Sequence, residues 1–237
     1  EVVPLHAGPE HRFQPTVDLL QNVGPVDGLI IASPSNPTGT TVSGGELETL
    51  VLWCKDNNVR LVSDEIYHGI NFGDSPTTAA LFDDHGIVVN SFSKYFAMTG
   101  WRIGWMVVPA DLVPTIERLA QNLFVSPAAL PQRAALAALD CRKELDSYVK
   151  AYAKNRQFLL DRLPAAGFNK IAPADGAFYL YADVSDLTND SKQFCTRMLE
   201  EVGVASTPGI DFDQRRGHRY VRFSFAGSER TVTEAAE

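Results

Sequence analysis

One lysine in this sequence sits where an amine could do chemistry. The stretch "NSFSKYFAMTGWRIGW", residues 90–105, places Lys94 in a hydroxyl-rich turn after an apolar run, with Ser91 three positions before it, Ser93 next to it and Arg102 eight positions after it. An amine held beside Phe92, Tyr95 and Phe96 loses solvation for its ammonium form, which brings the neutral, nucleophilic form within reach. Such a lysine can form a Schiff base with a carbonyl. The other side chains suited to chemistry lie in three short stretches: Asn36 in "SPSNPTG", Asp64 and Tyr67 in "SDEIYHG", and Arg222 in "YVRFSF". Each also has an ordinary use. Asn-Pro-Thr-Gly makes a turn, Asp-Glu after a strand starts a helix, and serines in loops cap helices. His68 reads as structural rather than catalytic, because the lysine already supplies a base.

The elements around these residues give them a common location. "GLIIAS" (28–33) reads as a buried strand, followed by a turn and by a helix that Ser43 and Glu46 open as a capping box, with Leu47, Leu50, Val51 and Cys54 on one face. "VRLVS" (59–63), "GIVVNS" (86–91) and "RIGWMVVP" (102–109) read as three more strands, with "SPTTAALFDD" a loop and short helix. Strands joined by helices are normally parallel, so the carboxyl ends of the first three should share one edge, where open α/β sheets bind ligands. That edge would gather Asn36, Asp64, Tyr67, Ser91, Ser93 and Lys94. An amide, a carboxylate, a phenol and an amine delivered by successive strands suit an aldehyde cofactor with a ring nitrogen and a phosphate. Pyridoxal 5'-phosphate (PLP) has that chemistry, its ring being an electron sink while the nitrogen stays protonated beside an anion.

"SPSNPTG", "SDEIYHG", "SFSKYFAMTGWRIGW", "GAFYLYADVS" and "YVRFSFAGS" occur in the order and at roughly the spacings of class I/II aminotransferases, the fold-type I PLP enzymes, which the chain resembles over nearly its whole length. The resemblance implies an α/β fold of the aspartate aminotransferase-like, PLP-dependent transferase type: a mostly parallel sheet with flanking helices in residues 1–140, and a smaller α+β C-terminal domain in 141–237. It implies that Lys94 forms the Schiff base and then moves the substrate's proton, that Asp64 pairs with the pyridine nitrogen, and that Asn36 and Tyr67 hydrogen-bond the ring oxygen. Ser91 and Arg102 would hold the phosphate, with Ser93 a weaker candidate. Arg222 would bind the substrate α-carboxylate in a bidentate pair, with Asn36 also a substrate-binding residue, and its alternating strand places Arg222 on a face with Ser224. The alternative for Arg222 is a solvated arginine on an edge strand.

The expected reaction is amino-group transfer between an amino acid and a 2-oxo acid. A carbon-sulfur lyase using the same cofactor and a non-catalytic PLP-binding regulator domain are the alternatives. The stretch "QNLFVSPAAL" (121–130) holds no arginine or lysine, which favours an aromatic or aliphatic amino acid over a dicarboxylic one. The family also implies a homodimer. Residues 1–27 leave no room for the family's phosphate loop and ring-stacking aromatic, and the helix begun in "AGSERTVTEAAE" is short, so a fragment lacking the N-terminal half of the large domain is expected.

Toward the C-terminus, "AALPQRAALAALD" and "DSYVKAYAKNRQFLLDRL" read as long helices, "FNKIAP", "GAFYLYADV", "VASTPG" and "HRYVRFSFAG" as strands, and Phe194, Met198, Leu199 and Val202 as a helix face. Trp101, Trp105 and the three cysteines, Cys54, Cys141 and Cys195, read as core residues, with no metal site among the cysteines. A net charge of -8 without basic runs argues against nucleic acid or an anionic membrane as partner. No signal-peptide layout and no apolar run of membrane-spanning length is read, so a cytoplasmic setting is the expectation.

Overall fold

The computed structural model describes all 237 residues, Glu1–Glu237. They fall into two units, one of Glu1–Pro34 and Thr41–Asp146, the other of Ser35–Thr40 and Ser147–Glu237. The first contains α1 (Val17–Gln21), β1 (Gly28–Ala32), α2 (Gly44–Asp56), β2 (Arg60–Asp64), β3 (Ile87–Ser91), β4 (Gly104–Val107), α3 (Val113–Phe124) and α4 (Ala129–Ala138).

The predicted capping box starts α2. The Ser43 hydroxyl accepts from the Glu46 backbone N–H, and the Glu46 carboxylate accepts from the Ser43 N–H at 3.0 Å, satisfying two donors that a helix start leaves open. Leu47, Leu50, Val51 and Cys54 then line the buried face and pack with Leu29, Ile31, Leu61 and Val88 of the strands. Truncating such a buried leucine to alanine costs about 2–5 kcal/mol. Burial also pushes the Cys54 thiol up to about 11.

The sheet order is β1-β2-β3-β4. β1, β2 and β3 are parallel and in register through Ala32, Asp64 and Val89, so their carboxyl ends do share an edge. β4 runs antiparallel to β3, since residues 92–103 between them fold back on themselves, the Phe92 N–H bonding the Ile103 carbonyl, and form no crossover helix. Only one face of the sheet is covered by α2. Leu29 and Ile31 are buried there while Ile30 is 79% exposed, so β1 alternates rather than being buried on both faces as "GLIIAS" suggested. Two further readings change, and one helix is new. Trp101 and Trp105 are exposed, Cys141 is exposed, and α3, which periodicity did not single out, leaves Leu119, Leu123 and Phe124 in solvent.

α5 (Arg142–Arg162) begins in the first unit and continues into the second, which adds β5 (Lys170–Ile171), β6 (Tyr179–Asp183), α6 (Ser191–Val202), β7 (Thr207–Pro208), β8 (Tyr220–Ser224) and α7 (Glu229–Ala236). Its sheet is antiparallel in the order β5-β6-β8-β7. Asn155, buried on α5, donates to the carbonyls of Phe225 at 3.1 Å and Gly227 at 3.0 Å, tying the end of β8 to the helix and leaving neither amide proton unused. β8 is central, so Arg222 is not on an edge strand. On α6 the buried positions are Ser191 and Cys195, with Phe194 and Met198 half-buried; Leu199 and Val202 are exposed, so only part of the expected face is covered.

Candidate active site

The Lys94 turn is built by the end of β3 and the start of β4. The Phe92 N–H donates to the Ile103 carbonyl at 3.1 Å and the Met98 N–H to the Phe92 carbonyl at 3.0 Å, so the segment between the strands closes on itself. Within it Ser91 Oγ accepts from the Ser93 N–H at 3.1 Å, Thr99 Oγ1 donates to the Ser93 carbonyl at 2.6 Å, and Arg102 Nη1 donates to the Thr99 carbonyl at 3.0 Å. Thr99 therefore belts the serine turn to the arginine. Ala97 at φ 53 and Arg102 at φ 51 occupy the left-handed region, a conformation costing a non-glycine residue roughly 1–2 kcal/mol. Such strain persists where its surroundings over-determine it. Phe92 packs on Phe96 and Trp105 at centroid distances of 4.6 and 5.1 Å, and Lys94 Nζ lies 5.5 Å from the centroid of the buried Tyr67 ring. The apolar flank expected for Lys94 is present, with the lysine residue half-buried.

An open cavity of about 420 Å3 is lined by Ser91, Ser93, Lys94, Arg102 and Gly104, together with Ile66 and Ile103. A Cβ on Gly104 would lie 2.6 Å from the Asn90 carbonyl oxygen and 3.1 Å from Ser91 Cβ, so only glycine lets β4 close on β3 at this wall. Two hydroxyls, a guanidinium and an amine make a donor set suited to a phosphate with an aldehyde nearby. On the neighbouring strand end, Asp64 Oδ1 accepts from the Ile66 N–H at 3.1 Å, which fixes the carboxylate. These residues fit PLP. A second cavity, of about 440 Å3, lies at the opposite ends of β1–β3, where Lys55 and Asp83 pair with each other at 3.3 Å. It holds no comparable set.

Beside Asp64 the sequence reading missed a polar network built on a buried carboxylate. Glu65, 2% exposed, accepts from Ser63 Oγ at 3.0 Å and from the Ala79 N–H at 2.9 Å, and its other oxygen lies 3.4 Å from His68 Nδ1. Burial holds the His68 imidazole below its usual 6.5, against the opposing pull of Glu65. Both partners serve the "DEIYHG" turn, consistent with His68 as a structural residue. Gly69 finishes that turn at φ +93, directly against the Tyr95 ring, whose hydroxyl donates to Asp146 at 2.6 Å.

The remaining two residues belong to the second unit. Asn36 goes there with Ser35–Thr40, because Gly39 at φ +69 sits so close to the start of β6 that a Cβ would lie 2.8 Å from the Tyr179 carbonyl oxygen and 3.1 Å from that of Gly176. Arg222 Nη1 donates to Asn36 Oδ1 at 2.6 Å and Nη2 to Thr207 Oγ1 at 3.1 Å. Its guanidinium carbon lies 4.3 Å from the Tyr179 ring centroid and 4.8 Å from that of Phe212. The row follows from the ladder, where Tyr181, Arg222 and Thr207 stand directly opposite one another across three strands and Tyr179 is the diagonal neighbour. A two-residue β7 gives no pattern from which this could be read.

Known proteins carry the same arrangement of elements. The chain is 47% identical over 240 residues to valine–pyruvate aminotransferase of Mycobacterium tuberculosis, covering 99% of this chain and 62% of that one. It is 35% identical to aspartate/prephenate aminotransferase of Thermus thermophilus, covering 100% of this chain and again 62% of the relative. A crystal structure of an aminotransferase from Mycobacterium tuberculosis superposes with a TM-score of 0.94 at 47% identity, over 97% of this chain and 61% of that one. The chain thus spans about 62% of the length of the curated relatives it matches. The fold is that of the aspartate-aminotransferase-like enzymes. With the sequence profile of aminotransferase class I and II matching all of residues 1–237, the chain belongs to that family, whose members use PLP.

Proposed function

We propose that the protein is a PLP-dependent aminotransferase that moves an amino group between an amino acid and a 2-oxo acid. The observation that carries this reading is Lys94 on the wall of one cavity with Ser91, Ser93 and Arg102, beside a strand ending in Asp64. When bound, PLP supplies an electron sink for charge that develops at the substrate Cα. Lys94 Nζ would hold the aldehyde end of the cofactor and, when released, would accept the proton from the substrate Cα. Ser91, Ser93 and Arg102 would hold the phosphate, Asp64 would keep the pyridine nitrogen protonated, and Asn36 and Tyr67 would serve the ring oxygen. Arg222 binds the substrate carboxylate, a task that suits its planar fork.

The donor we assign is a neutral aliphatic amino acid and the acceptor a small 2-oxo acid. Support comes from the absence of arginine and lysine in residues 121–130 and from the likeness to a relative named for valine and pyruvate. We also assign a homodimer, the family's usual state; exposed Leu119, Leu123 and Phe124 on α3 and Leu130 and Leu136 on α4 support it. The relatives named above are aminotransferases, which does not favour the lyase or the regulator. Incubating the intact protein with PLP, valine and pyruvate should yield alanine and 2-oxoisovalerate. Release of pyruvate and ammonia from cystathionine without any 2-oxo acid, and no transfer from valine, would point to the lyase. Sedimentation at the mass of one chain would remove the dimer.

A further inference from the structure

We propose that Thr207 and Phe212 are positioning residues that hold the Arg222 guanidinium in the plane a carboxylate needs. The proposal rests on the reading of Arg222 as the carboxylate-binding residue. A bidentate pair forms only when the two planar groups are coplanar, and a long arginine side chain loses substantial rotamer freedom in reaching that state. Here the freedom is removed beforehand. Hydrogen bonds at both Nη atoms, to Asn36 and Thr207, fix rotation within the plane, and the rings of Tyr179 and Phe212 on the guanidinium fix its tilt. Nε is buried with no hydrogen-bond partner, so it contributes no restraint of its own. Each Nη carries two protons and spends one on these contacts, leaving a proton on each for a ligand.

Thr207 and Phe212 are the two restraints that can be tested cleanly. Tyr179 is a core residue, whereas Phe212 is 37% exposed and can be replaced without opening a cavity. Thr207 stands directly opposite Arg222 in the ladder, so its hydroxyl can be removed by an isosteric valine that keeps the strand.

The experiment titrates the intact, PLP-loaded protein with 2-aminoisobutyrate, an α-amino acid with a carboxylate and no α-hydrogen. The shift of visible absorbance reports the Kd, isopropylamine serves as the ligand without a carboxylate, and thermal unfolding is followed in parallel. Thr207→Val should raise the Kd for 2-aminoisobutyrate about tenfold, a hydrogen bond to a charged group being lost. Phe212→Leu should raise it about threefold through the lost cation–π contact. Thr207→Ser and Phe212→Tyr should restore it, with isopropylamine affinity and thermal midpoint unchanged throughout. Wild-type Kd values in Thr207→Val and Phe212→Leu, with binding lost in Arg222→Gln, would overturn the positioning role and leave the carboxylate reading standing. Wild-type Kd in Arg222→Gln would overturn both. Equal losses for the two ligands would also overturn the proposal, because the effect would not run through the carboxylate.

Discussion

Replacing Gly69 by alanine tests whether the "DEIYHG" turn braces the Lys94 turn. The new Cβ would lie 2.7 Å from Tyr95 Cδ2 and 2.8 Å from Tyr95 Cγ, and it would hold a φ of +93 that L side chains rarely adopt. The backbone term costs roughly 1–2 kcal/mol. The clash is a local overpacking, worth about 1–3 kcal/mol because Tyr95 is pinned by its bond to Asp146 and by the Phe96 ring 5.1 Å away. The sum is about 2–5 kcal/mol, a large part of the stability of a small domain. In a Tyr95→Ala background the clash disappears and only the backbone term remains, so the same substitution should cost about 1–2 kcal/mol. Urea unfolding of wild type, both single variants and the double variant measures the difference as a coupling energy of about 1–3 kcal/mol. Equal costs of Gly69→Ala in the two backgrounds would refute the brace. Displacing Tyr95 also moves its neighbour Lys94, so Gly69→Ala should weaken PLP binding, read from visible absorbance.

Gly104→Ala should push β4 from β3 at the phosphate-holding wall and weaken PLP binding at least tenfold, measured by fluorescence titration, since its Cβ would meet backbone atoms that cannot swing aside. Ser43→Ala should lower stability by about 1 kcal/mol through loss of the capping box, seen as a lower urea midpoint at unchanged slope. Because burial holds His68 below 6.5, the unfolded chain takes up that proton first as pH falls; this contribution is present above 6.5 and is lost as pH drops below it. His68→Gln should therefore lose less stability than wild type between about pH 7 and pH 5.5 in urea unfolding, and an equal loss would exclude the linkage.

Much of the first unit is legible in the chain because its signals are local. The Ser43–Glu46 box, the spacing of Leu47, Leu50, Val51 and Cys54, and three apolar runs each fold as their own sequence dictates. The Lys94 turn is legible for the same reason, its serines, lysine and arginine lying within one segment. What spacing does not carry is the partner. Leu199 and Val202 keep helical periodicity yet stay exposed, since periodicity marks an apolar face without naming what covers it. β4 has the composition of a strand, but its direction is set by the turn that folds residues 92–103 back onto β3. Asn36 and Arg222 are 186 positions apart, and their hydrogen bond depends on a close backbone approach at Gly39. Thr207 and Phe212 reach Arg222 through a two-residue strand and a 3-10 turn, elements too short to leave a pattern. In the sequence the role of Arg222 is carried by the family resemblance alone, since its strand pattern gives only the face it lies on.

The most direct test is covalent. The intact protein loaded with PLP is reduced with borohydride, digested, and its pyridoxyl-labelled peptide identified by mass spectrometry. The account predicts one labelled residue, Lys94, and no label in a Lys94→Ala variant. A label on another lysine, such as Lys55 or Lys143, or none on the wild-type protein, would contradict it.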